Sequence, residues 1–147
     1  MSDDPAVWRE RRRDAAQEKA RAMDELRRAD SAIAARAIAE FVAEASRRGL
    51  EPEPLRARGY DGRSTYRTPL RGWYLRKNRS VAVGTDGLFY VLSAPGGLTA
   101  RLRGVSPEPS DPPRVLGAGG RDGESIDITD ALALVLDQVP PRAEPNG

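Results

Sequence analysis

The stretch Gly72-Trp73-Tyr74-Leu75-Arg76-Lys77-Asn78-Arg79-Ser80-Val81-Ala82-Val83-Gly84-Thr85-Asp86-Gly87-Leu88-Phe89-Tyr90-Val91-Leu92 decides the fold class. Aromatic and β-branched residues fall into three short runs, 72–76, 80–84 and 88–92, with a turn signal between each pair. Lys77-Asn78-Arg79 reads as a tight turn, and Asp86-Gly87 is a dipeptide favoured in hairpins. Strands joined this way run antiparallel. The run 88–92 is apolar on both faces, which predicts a central strand. After Pro95-Gly96-Gly97, the residues Leu98, Ala100 and Leu102 alternate with Thr99, Arg101 and Arg103. That alternation over 98–105 predicts a half-buried fourth strand with a solvated arginine face.

Upstream, Glu51-Pro52-Glu53-Pro54 reads as a stiff connector. Leu55 to Pro69, rich in arginine, glycine and hydroxyls, reads as a long loop. Such loops are unusual in compact domains and tend to bind something or stay unstructured. From Ala6 to Arg48 there is neither proline nor glycine, and alanine, arginine and glutamate dominate. These are good helix formers. In the second half Ile33, Ala34, Ala37, Ile38, Phe41, Val42 and Ala45 make a broad apolar face suited to a core. In the first half Trp8, Ala15, Ala22, Met23 and Leu26 make a thin apolar stripe among charges. Asp30 or Ser31 can cap a second helix, so one long helix and two helices meeting at a kink both fit. Gly49 after Arg47-Arg48 is the expected helix end.

Downstream, Ser106 to Pro113 holds four prolines and must be loop. Short strands fit at 114–116 and at 124–128, and Thr129 reads as the N-cap of a terminal helix. Leu132, Val135, Leu136 and Val139 face one side of that helix, which Pro140-Pro141 ends. The expected fold is α+β: an antiparallel meander of four to five strands, packed by a long N-terminal helix and a short C-terminal helix. Residues 1–48 form the helical region, 49–139 the sheet and final helix of the same domain, and 140–147 a flexible tail.

The chain has 147 residues, 39% hydrophobic and 31% charged, enough for one modest core. It contains no cysteine and no histidine. Disulfides, thiolate nucleophiles, Cys/His zinc sites and histidine-based triads are therefore ruled out. The start Met1-Ser2-Asp3-Asp4 is acidic and no apolar run follows it, unlike a secretory signal. No stretch is apolar enough to span a membrane, and a cytoplasmic location is expected.

The 24 Lys plus Arg and 22 Asp plus Glu give a net charge of +2, unevenly spread. Residues 1–48 carry 11 basic and 10 acidic groups, 49–105 carry 10 and 4, and 106–147 carry 3 and 8. The balances are +1, +6 and −5. Within the basic middle, Tyr66, Arg67, Arg71, Arg76, Lys77 and Arg79, with Arg101 and Arg103 on the predicted strand, suit phosphate contact and base stacking. A solvated surface explains the same residues, and no known nucleic-acid module emerges from their spacing.

Gly117 to Gly123 lacks the Gly-Lys-Ser/Thr of a phosphate loop and has no βαβ unit around it. Asp122, Glu124, Asp127 and Asp130 lack the ordered spacing of a calcium loop, and two of them suit a helix start. No nucleophile, activating base and oxyanion site come together. The reading is thus a non-enzymatic domain with no cofactor or metal, engaging a protein partner or its own copy through Trp8, Met23 and Leu26. Its alternative is a nucleic-acid-associated protein using residues 56–79.

Overall fold

A computed structural model describes residues 4–117 and 124–139. The elements in order are α1 (Pro5–Arg48), β1 (Glu53–Gly59), β2 (Thr65–Tyr74), β3 (Val81–Gly84), β4 (Phe89–Val91), β5 (Ser93–Ala94), α2 (Leu98–Arg103), β6 (Val115–Leu116), β7 (Ile126–Asp127) and α3 (Ile128–Leu136). The architecture is α+β, with a five-stranded, mostly antiparallel sheet, a long N-terminal helix and a short C-terminal one.

Of the two helical alternatives, the continuous one is found. The helix α1 runs 44 residues without a break. Asp4 caps its start by accepting the Ala6 amide at 3.0 Å, and Pro5 occupies the first turn, where no amide is needed. Gly49 ends it in the left-handed region at φ 72°, and the Leu50 amide closes back on the Ala45 carbonyl at 2.9 Å. Asp30 caps nothing; its carboxylate lies 3.9 Å from Arg114 instead.

The sheet order is β4-β3-β2-β1-β5. Its two outer strands are halves of one extended run, Phe89 to Ala94, separated only by Leu92. The first half pairs antiparallel with β3, the second parallel with β1. The sheet therefore curls until its edges meet. Alternation along the strands gives it two buried faces. Leu55, Ala82, Tyr90 and Leu92 fill the inside, with Leu70 and Tyr74 against them. Trp73, Leu75, Val83 and Phe89 point outward, onto Ala34, Ile38, Phe41 and Ala45 of α1 and Ile128, Ala131, Leu132 and Val135 of α3. The rings of Phe41 and Trp73 meet edge to face, 5.4 Å apart at 87°.

Three sequence expectations are corrected. Residues 55–69 are not a loop but most of β1 and the first half of β2. Leu55, Ala57 and Gly59 are buried while Arg56 and Arg58 are exposed, a period of two carried by small residues. Ala57 and Gly59 lack the bulk that marks a strand in a hydropathy reading, and a side chain at Gly59 would stand 3.2 Å from the Tyr66 ring. Pro69 is tolerated because it sits at a bulge, where Leu55 alone opposes Thr68 to Leu70. There Thr68 donates its hydroxyl to the Leu55 carbonyl at 2.6 Å and accepts the Leu70 amide at 3.1 Å.

Residues 98–105 hold a helix, α2, rather than a fourth strand. Leu98 and Leu102 are two strand repeats apart and also one helical turn apart, so a short segment satisfies both patterns. Gly97 and Gly104, at φ 150° and 77°, bracket the turn. The run 88–92, expected at the centre, is instead the seam that closes the sheet.

The downstream strands also settle differently. The segments β6 and β7 form a separate two-stranded ribbon rather than a fifth strand of the meander. Asp127, not Thr129, caps α3, accepting the Thr129 amide at 2.9 Å and its hydroxyl at 2.6 Å. These bonds hold its carboxyl below the usual range, with Arg114 assisting. At the other end of α3, Arg48 donates to the Leu136 and Val139 carbonyls at 3.1 and 3.2 Å. Its remaining edge meets Glu44 at 2.9 Å and holds that carboxyl below its ordinary value. One arginine thus joins the C-terminal ends of α1 and α3 and covers carbonyls left open by α3. The expected glycine-rich loop 118–123, with Asp122, and the expected tail 140–147 lie outside the described residues.

Candidate functional site

Burial divides α1 into two parts. Ala34, Ile38, Phe41 and Ala45, at spacings of four, three and four, face the core. From Trp8 to Ala29 every residue is exposed. Helix propensity and local ion pairs hold this half together; Arg27 and Asp24, for example, lie 3.9 Å apart. Trp8, Met23 and Leu26 are 57%, 48% and 66% exposed. At about 100° of rotation per residue, Trp8 and Leu26 fall on one line along the helix, with Ala15 and Ala22 within about 40° of it. Met23 lies about 60° to the side. Ile33, 44% exposed, extends the same line to the edge of the core.

The basic stretch is placed quite differently. Arg67 donates to the Leu102 carbonyl at 3.2 Å, Arg71 to the Pro52 carbonyl at 3.0 Å, and Arg76 to the Glu124 carbonyl at 3.1 Å. Each arginine ties a loop or helix to the sheet. Tyr66 is buried, its hydroxyl side against Gly96. Trp73 is buried too, and its indole donates to the Leu50 carbonyl at 3.2 Å. The Tyr74 hydroxyl accepts the Arg56 amide at 2.8 Å, and Arg79 stacks on the Tyr74 ring at 5.3 Å. Lys77 is exposed in the β2–β3 turn, and Arg58, Arg76, Lys77 and Asn78 line one concavity. Arg101 and Arg103 lie exposed on α2, apart from that group in the chain, with Arg101 near Asp61.

Asp61 organises the β1–β2 turn. It accepts the amides of Arg63 and Ser64, both at 2.9 Å, and the Ser64 hydroxyl at 2.7 Å. Those bonds, led by the Ser64 amide, lower its carboxyl to about 2. Tyr90 donates its hydroxyl to Asp86 at 2.6 Å, which together with burial pushes the phenol up to about 12. Both are turn-fixing contacts. Among the described residues no group of three carboxylates comes together in a metal-binding arrangement.

Sequence reasoning missed one concave feature. A cleft of about 500 Å³ is bordered by Val81, Phe89 and Val91 of the sheet and by Ser110, Pro113 and Val115 of the proline-rich segment. Three distant stretches contribute, so no local motif marks it. The isolated bridge between Phe89 and Ser110 holds its wall in place. No described helix is long and apolar enough to cross a membrane. Comparison with protein-family models, with curated proteins and with solved structures finds no match to this chain.

Proposed function

We propose that this chain is a non-catalytic protein-binding domain, with the curled sheet as its anchor and the exposed half of α1 as its binding element. One observation carries the reading: α1 continues for more than twenty residues beyond the core, yet keeps Trp8, Met23 and Leu26 on its open surface. In proteins, packing of one face normally supplies most of a helix's stability. A groove or a second helix that covers this side supplies the missing packing.

The basic stretch gives less support to nucleic-acid binding. Arg67, Arg71 and Arg76 are engaged with backbone carbonyls, and Tyr66 and Trp73 are buried. Phosphate contact would draw on guanidinium donors that the fold already uses.

The test is site-specific photo-crosslinking in the full-length protein inside cells. A photoreactive residue replaces Trp8, Leu26 or, as a control on the opposite side, Arg21. Strong adducts from positions 8 and 26 with little from 21 are expected. Equal or absent adducts at all three would reject this placement of the interface.

A further inference from the structure

Resting on that reading, we propose that the partner of α1 is a second copy of this chain, paired antiparallel through residues 8–29. Along the exposed side, Trp8, Arg12, Ala15, Lys19, Ala22, Leu26, Ala29 and Ile33 follow one another at alternating spacings of four and three. These are the a and d positions of a heptad, six of them apolar and two, Arg12 and Lys19, cationic. Its two sets differ sharply in size. One is Trp8 followed by three alanines, and the other is Arg12, Lys19, Leu26 and Ile33.

Size and charge together select the direction of pairing. A parallel pair stacks each layer on its own copy. Arg12 would face Arg12 and Lys19 would face Lys19, with alanine against alanine leaving gaps between them. Reversing one helix removes both problems. With Trp8 opposite Leu26, Arg12 falls opposite Ala22 and Lys19 opposite Ala15. Each long cationic stem then lies over an alanine and carries its charge out to solvent.

The flanks agree. In the antiparallel register, Arg11 of one copy faces Glu25 of the other, a contact the symmetry repeats, and these two attractions outnumber the single repulsion of Glu18 facing its own copy at the axis. In a parallel pair the same flanks set Arg11 against Ala16, Glu18 against Met23 and Glu25 against Asp30. No attraction results, and one repulsion does. The basic start of the helix, with four arginines between residues 9 and 13, complements its own acidic middle.

The experiment uses the full chain. Sedimentation over rising concentration should show the mass approaching twice the chain's 16.0 kDa. Because the sequence has no cysteine, single cysteines report the register without background. Ala16→Cys sits near the symmetry axis and should join two copies through a short bismaleimide. Ala22→Cys lies about 15 Å along the axis from its counterpart and should not. Arg11→Glu should weaken the pair about tenfold, and adding Glu25→Arg should restore it.

Joining through Ala22→Cys in preference to Ala16→Cys overturns the antiparallel arrangement. A chain that stays monomeric overturns self-pairing altogether. In that event, adducts from positions 8 and 26 to a different protein leave the binding-helix reading standing. Loss of those adducts as well removes both. Circular dichroism of each variant separates a lost interface from a lost helix.

Discussion

Leu92 accepts the Arg58 amide on its carbonyl and donates its own amide to the Ser80 carbonyl, both at 2.9 Å. One residue therefore bonds to β1 on one side and to the lead-in of β3 on the other, and closes the sheet. Its side chain is fully buried among Leu55, Ala82 and Tyr90. Leu92→Ala should cost about 2–5 kcal/mol, read as a shift in the denaturant midpoint. The Leu92 and Arg58 amides should exchange only with global unfolding. Rapid exchange at either would mean that the sheet opens at this seam.

The Phe41–Trp73 contact is the centre of the helix–sheet interface, and Phe41→Ala should cost about 3–5 kcal/mol. The chain's two tryptophans report on it separately. Trp8 is 57% exposed and Trp73 only 7%. Trp8→Phe should leave a blue-shifted emission resistant to iodide, and Phe41→Ala in that background should move it to the red.

Gly72 is needed for close approach rather than for turning. A methyl group there would stand 2.0 Å from the Val83 carbonyl oxygen and 2.8 Å from the Gly84 Cα. Both obstacles are backbone, so neither can rotate away. Gly72→Ala should destabilise by at least about 1–3 kcal/mol by forcing β2 from β3. Gly62→Ala is a useful contrast: nothing lies within 4 Å of the added methyl, and only its φ of 74° opposes the change.

Alkaline titration should single out Tyr90. With its phenol pushed up to about 12 by the Asp86 bond and burial, its contribution to stability is complete below about pH 10. It is lost as the pH rises from there through 12, because the unfolded chain releases the proton first. Absorbance at high pH should show the Tyr90 phenol ionising later than a free tyrosine. In Asp86→Asn the lag should shrink. At the acid end the sign reverses for Asp61, whose carboxyl is lowered to about 2. The turn it holds should loosen as the pH falls from about 4 towards 2.

The helices α1 and α3 and the turns joining β2, β3 and β4 were legible because their signals are local. A run free of proline and glycine, ending in Arg47-Arg48-Gly49, defines α1. Asp86-Gly87 and the runs beside it define β3 and β4. Two things were hidden for physical reasons. Two of the three buried positions on β1, Ala57 and Gly59, are small, so the strand read as loop. Leu98 and Leu102 serve either period, and only the occupied sheet edge decides for α2. The exposed stripe Trp8, Met23 and Leu26 stood out because large apolar residues are scarce around it. The fate of Arg67, Arg71 and Arg76 did not, since their carbonyl acceptors lie 19 to 48 residues away.

Because α1 is unbroken, residue count alone sets the azimuth between its two surfaces. The line through Trp8 and Leu26 points about 90° away from the mean direction of Ala34, Ile38, Phe41 and Ala45. Whatever docks on the outer half is therefore presented to the curled sheet at a fixed angle, as a key blade is to its bow. One residue inserted between Leu26 and Asp30 would swing that presentation by about 100°, while seven would restore it to within about 20° and lengthen the arm by two turns.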